Sequence, residues 1–211
     1  MKNALLLSLL FLAFNNSGIA QALSVEKIWK NYEFRGEGIE GFRSMQDGLH
    51  FTRLNDKNGE QSISKHEITN SSGVGTVLIS AEKLAYQGDK ITIDDYFFNE
   101  DETKVLLTTQ TTSIYRRSYT AVHFLFDLKT GTLTALDEKH QPQTLAEYSP
   151  DGTMVSYIYK NDLYVKDIAS GKVKKLTQDG KRNKVINGTT DWVYEEEFSI
   201  TKAYDWSPDS K

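Results

Sequence analysis

Cysteine is absent from all 211 residues. Its absence excludes disulfide staples, thiol catalysis, cysteine-ligated zinc and lipid attachment at a cysteine, and leaves stability to burial alone. Proline is scarce, with three in the chain, so no proline-rich spacer is encoded. Four histidines, His50, His66, His123 and His140, are scattered without metal-ligand spacing, and neither a metal nor a cofactor is expected. Clustered positive charge is scarce too: 25 Lys and Arg against 29 Asp and Glu give a net charge of −4, and basic residues are scattered apart from short stretches such as "KVKK" at 172–175. A nucleic-acid or acidic-membrane partner is therefore not expected. No G-x-S-x-G nucleophile elbow, Gly-rich phosphate loop, H-E-x-x-H or EF-hand pattern occurs, so these residues encode no catalytic machinery that can be read.

Long apolar runs are confined to the N-terminus. There "ALLLSLLFLAF" (4–14) follows Lys2 and precedes the small-x-small "AQA" (20–22). The run is shorter than the ~20 residues a membrane-spanning helix needs. Residues 1–22 read as a secretory signal, which predicts an exported protein, periplasmic or extracellular.

The chain as a whole is 38% hydrophobic and 26% charged, a composition that builds a core. "LSVEKIWKNYEF" (23–34) predicts one short helix, with Ser24 as cap and Val25, Ile28 and Trp29 on one face. Beyond it the pattern is β. "LHFTRL" (49–54) and "EQSISKHEI" (60–68) flank a turn whose Asn58-Gly59 suits the positive φ angles of a tight hairpin.

Two repeats then run in phase. "FNEDETKVLL" (98–107), "YSPDGTMVSY" (148–157) and "WSPDSK" (206–211) share an aromatic, a small polar residue and an aspartate at spacings of 50 and 58 residues. "FDLKTGTLTAL" (126–136) and "KDIASGKVKKL" (166–176) share a D-x-x-[TS]-G turn. Multi-strand units recurring at this period predict an all-β fold, a partial β-propeller of about three to four blades. A β-sandwich with coincidental turns is the competing fold, but it has no need of such periodicity. Since "WSPDSK" stops where the earlier copies begin a strand, the chain is expected to be a fragment ending inside a blade.

"NGTTDWVYEEEF" (187–198) sets three consecutive glutamates against aromatic rings. A solvated acidic turn is one reading. The other is a binding site: on a strand Glu196 and Glu197 face opposite ways, whereas on a helical turn they diverge by only about 100° and can hold a cation, a primary ammonium above all. In "YRRSYT" (115–120), Arg116 and Arg117 are either solvated charges or a donor fork for a carbonyl or carboxylate.

These two segments resemble the double-glutamate motif and the aromatic-Arg-x-Ser-Tyr-Thr-Ala segment of the dipeptidyl peptidase IV branch of the prolyl oligopeptidase family. "FRSMQDGLHFT" (42–52) and "YKNDLYVKD" (159–167) are similar to its early propeller, and the likeness runs from about residue 23 to 211. The resemblance implies an eight-bladed propeller capping an α/β-hydrolase domain with a Ser-Asp-His triad that these residues do not contain. It implies an exported serine exopeptidase that removes dipeptides after a penultimate Pro or Ala. It also implies that Glu196 and Glu197 bind the free amino terminus of peptide substrates, with Glu195 preceding them, and that Arg116 contacts the peptide carbonyl. The chain departs from the family at Tyr115, where tryptophan occurs, and at Arg117, where histidine is common, so either arginine can be the one facing the site. A homodimer of the full-length parent is left open. The alternative from another class is a non-catalytic periplasmic TolB-like propeller binding a protein partner; the acidic motif is the feature that discriminates. Tripeptidyl or acyl-aminoacyl cleavage would keep the enzyme and change the cut.

Overall fold

The computed structural model describes residues 23–36, 38, 41–70 and 73–211. The expected signal segment lies outside them. The chain divides into two compact units, 1–38 and 39–211. In the first, the expected helix is a single π-helical turn, Glu26–Lys30. Ser24 Oγ accepts from the Lys27 N–H at 3.2 Å, as a cap should, while Val25, Ile28 and Trp29 stay exposed. No helix among the described residues is long and apolar enough to cross a membrane.

The second unit is built of antiparallel meanders. The first sheet orders β1 (Arg43–Ser44), β2 (His50–Lys57), β3 (Glu60–Glu67) and β4 (Thr76–Ile79). The β2–β3 pair closes at Lys57 opposite Glu60, with Asn58 at φ 58° and Gly59 at φ 80° forming the expected two-residue turn. A short hairpin of β5 (Ala85–Tyr86) and β6 (Asp89–Lys90) follows. The second sheet contains β7 (Ile93–Phe98), β8 (Lys104–Ser113), β9 (Tyr119–Asp127) and β10 (Thr132–Ala135). The third contains β11 (Thr144–Tyr148), β12 (Met154–Tyr159), β13 (Asp162–Asp167) and β14 (Val173–Lys175). Each sheet runs in sequence order, as propeller blades do.

Packing between blades explains the composition of the strands. On β8, Val105 and Leu107 join one buried cluster with Leu54, Ile63, Ile79, Tyr96, Phe124 and Phe126, while Leu106 joins a second with Leu125, Leu136, Val155, Tyr157 and Tyr164. Alternate residues of a strand face opposite ways, so the second blade is covered on both faces, and "VLL" (105–107) and "FLF" (124–126) read as unbroken apolar runs rather than alternation. The three "aromatic-x-x-Asp" turns are superimposable in their bonding. Asn99, Ser149 and Ser207 each accept from the backbone N–H five or four residues on (Lys104, Met154, Lys211), while Asp101, Asp151 and Asp209 accept from the side chains of those same residues. Donation from the Ser149 hydroxyl and the Thr153 N–H and hydroxyl holds the Asp151 carboxyl at about 2. Consecutive turns also touch: a Cβ at Gly152 would meet Asn99 Nδ2 at 2.9 Å, and the Asp151 N–H donates to Ser210 Oγ at 3.0 Å.

A buried polar network joins the second and third blades. The Asp137 carboxylate accepts from Tyr157 Oη, from His140 Nδ1 at 2.7 Å and from the Lys139 N–H at 2.9 Å. Gln143, fully buried, donates Nε2 to the carbonyls of Asp137 and His140, which leaves its Oε1 to accept from Nδ1 of His123 at 3.1 Å. That accounting assigns the neutral His123 its Nδ1–H tautomer. Burial pushes the His123 imidazole down to about 4.

Candidate functional site

The acidic motif forms one short helix, α1 (Trp192–Phe198), the helical turn expected around the three glutamates. Asp191 caps its start, accepting from the Tyr194 N–H at 3.1 Å. Ser199, left-handed at φ 58°, ends it, and the N–H groups of Ser199 and Ile200 return to the carbonyls of Glu195 and Tyr194. Tyr194 and Phe198, one turn apart, bring their rings within 5.7 Å at a tilt of 43°.

The helix stands on an excursion clamped at its base. Thr189 and Lys202 form a β-bridge, and the Ala203 N–H donates to the Gly188 carbonyl at 2.9 Å. Asn187 Nδ2 reaches Asp162 Oδ1 (3.2 Å) and Asp179 Oδ1 (3.0 Å). Asp162 is itself buried on β13, where Lys175, Thr177, Gly180 and Asn187 together outweigh burial and hold its carboxyl below the usual range. Gly188 has φ 83°, and a Cβ there would lie 2.4 Å from Ile158 Cδ1. Gly188→Ala therefore combines a disfavoured backbone region with a clash into the third blade, and should cost roughly 1–3 kcal/mol in urea unfolding. Gly171→Ala, at φ 69° but with open space around it, should lose clearly less; equal losses would show that the close approach to Ile158 is irrelevant.

Three adjacent glutamates have three different surroundings. Glu195 is 2% exposed, and its Oε1 accepts from the backbone N–H groups of Arg117 (2.7 Å) and Ser118 (2.9 Å) on the turn between β8 and β9. Burial alone would raise its carboxyl; the neighbouring Ser118 hydroxyl, though it completes no hydrogen bond of normal geometry, and the two N–H groups lower it below the ordinary range. Glu196, with its side chain 13% exposed, pairs through Oε2 with Arg116 Nε at 3.1 Å. Glu197 is exposed. Of the two candidate arginines, Arg116 is the one that reaches the acidic helix with its side chain, while Arg117 does so through its backbone. Glu195, Asn187 and Asp162 were not legible as contributors, although consecutive residues on a helix point about 100° apart and so three glutamates cannot share one task.

The electrostatics of this arrangement are simple. One guanidinium against Glu196 and Glu197 leaves a net charge of −1, which one ammonium would neutralise. A cleft of about 1140 Å³ adjoins the helix and the turn between β8 and β9, lined by Tyr115, Arg117, Lys160, Arg182, Asp191 and Glu195 among others.

Successive four-stranded meanders with in-phase turns, followed by an excursion that carries a short acidic helix, define a β-propeller segment. Residues 99–211 match the family model described as the dipeptidyl peptidase IV (DPP IV) N-terminal region. The chain belongs to that family. It is 33% identical over 181 residues to a dipeptidyl peptidase 4 of Trichophyton rubrum, covering 84% of this chain and 21% of that protein. It is 36% identical over 118 residues to the prolyl endopeptidase FAP of Mus musculus, covering 56% of this chain and 16% of that one. Among solved structures, the crystal structure of Porphyromonas gingivalis dipeptidyl peptidase 4 superimposes with a TM-score of 0.79 at 31% identity, over 90% of this chain and 26% of that chain. The chain thus spans about a fifth of the length of the curated relatives it matches.

Proposed function

We propose that this chain is the substrate-recognition portion of an exported serine exopeptidase that removes dipeptides from peptide N-termini after a penultimate Pro or Ala. Glu196 and Glu197 bind the substrate's free ammonium, and Arg116 orients Glu196 and contacts the peptide carbonyl. The observation that carries the reading is the Arg116–Glu196 ion pair at 3.1 Å, which joins two residues 80 positions apart and leaves one negative charge for an incoming amine. Relatives named as dipeptidyl peptidases support the class of reaction. Export is supported by the "ALLLSLLFLAF…AQA" leader.

An exopeptidase that releases two residues at a time must measure from the amino terminus. A carboxylate pair held at fixed distance from a nucleophile does so, and binding energy at that remote end also positions the scissile bond. The test uses the complete gene product with Gly-Pro-anilide and its N-acetylated form. Acetylation removes the positive charge and should abolish turnover; comparable kcat/KM for the two substrates would overturn the reading.

A further inference from the structure

We infer that Glu195 is the positioning residue of this site, a buried strut that fixes the 114–118 turn so that Arg116 meets Glu196. The inference rests on the proposed recognition of the substrate amine by the Arg116–Glu196–Glu197 group. Residues 114–118 lie outside the β8–β9 ladder, where Ile114 and Tyr115 donate to the Ser118 carbonyl at 2.8 and 3.4 Å. The N–H groups of Arg117 and Ser118 point away from the strands and both enter the one carboxylate oxygen of Glu195.

Magnitudes decide which contact holds the turn. Arg116 has a side chain 71% exposed, so its ion pair with Glu196 is screened by solvent and cannot by itself order a five-residue turn. The Glu195 contact is 2% exposed, doubly donated and charge-assisted, and removing it would strand two backbone donors. Because Arg117 is the residue after Arg116, anchoring its N–H fixes the peptide plane from which the Arg116 side chain departs. Glu195 and Glu196 are adjacent on α1, so one helical turn sets both contacts. The motif's three acids therefore divide into one that places the arginine, one that pairs with it, and one left free.

The inference predicts a particular ordering of variants in the complete gene product. Glu195→Ala, which removes the acceptor, and Glu195→Asp, whose oxygen falls short by one methylene, should each raise KM for Gly-Pro-anilide roughly ten- to a hundredfold, with kcat changed less. Glu195→Gln retains an acceptor oxygen at the same reach and should recover to within roughly fivefold of wild type. A second readout is independent of catalysis: amide hydrogen exchange at Arg117 and Ser118 should be slow in the wild type and in Glu195→Gln, and fast in Glu195→Asp. Wild-type exchange at these two amides as fast as at Arg116 would overturn the inference, whether or not Glu195→Ala folds. So would a Glu195→Gln variant as impaired as Glu195→Ala while its turn stays protected, because charge rather than position would then matter. Glu197→Ala, which leaves the turn untouched, separates the two ideas: an unchanged KM there overturns the amine-recognition reading, whereas the exchange data still judge the strut.

Discussion

Replacing Glu196 and Glu197 together by alanine is expected to lower kcat/KM of the complete gene product for a free-amine dipeptidyl substrate by roughly a thousandfold. Each charge-assisted contact to an ammonium contributes about 1.5–3 kcal/mol, or roughly ten- to a hundredfold, and the second carboxylate retains the amine when only one is lost. The single variants should not be equivalent. Glu196→Ala leaves Arg116 unpaired beside the incoming ammonium, adding repulsion to the lost contact, so it should be the more damaging of the two. Arg116→Ala frees Glu196 and leaves two unpaired carboxylates; its loss should appear in kcat, through the missing carbonyl contact, more than in amine affinity. With N-acetylated substrate the double variant should show little further loss, because both changes remove the same contact. Steady-state kinetics on the four variants, with circular dichroism to verify folding, decide the matter. A double variant near wild-type activity would return the acidic run to a solvated turn.

The second large effect is a loss of stability on mild acidification, carried by His123. Its folded-state value of about 4 lies below the ordinary 6.5, so the unfolded chain binds the proton more readily than the folded one. The stability this group contributes is present above pH 6.5 and is lost as pH falls from there toward 4, at about 1.4 kcal/mol per pH unit and roughly 3 kcal/mol in all. The carboxylates with lowered values, such as Asp137 and Asp162, act in a separate window below it: their contribution is present above the ordinary carboxylate range and disappears at still lower pH. Urea unfolding of wild type and His123→Gln between pH 7.5 and 4.5 distinguishes the two windows. The variant keeps a donor toward Gln143 without a titrating ring, and its profile should be flatter than that of wild type by about 2 kcal/mol at pH 5. Superimposable profiles across this range would show that His123 is not buried as described.

Local chemistry explains why so much of the architecture was legible. Asn58-Gly59 accepts positive φ cheaply, so the first hairpin turn follows from two residues. Asp127 and Asp167 each accept from the N–H three residues on, and Gly131 and Gly171 take the left-handed position, so D-x-x-[TS]-G spells the same turn twice. The start of α1 was equally local, since Asp191 caps it directly. The N-terminal segment shows the limit of such reasoning: Ser24 bonds as a cap should, yet only one π-helical turn forms and its apolar face stays exposed.

By itself the sequence determined the turn positions, the in-phase repeat and hence the propeller class, and the two segments, 115–120 and 187–198, from which a site could be built. These follow from backbone preferences and from contacts between residues only a few positions apart. Tertiary structure alone decided that Arg116 rather than Arg117 meets Glu196, that Glu195 is buried beneath the turn, that Gly188 at the base of the excursion lies against Ile158, and that His123 is neutral between two blades. Each of those depends on chain segments from 20 to 80 residues apart being brought together by the two buried clusters that pack the second blade on both faces, and no local preference specifies which side chain meets which across that distance.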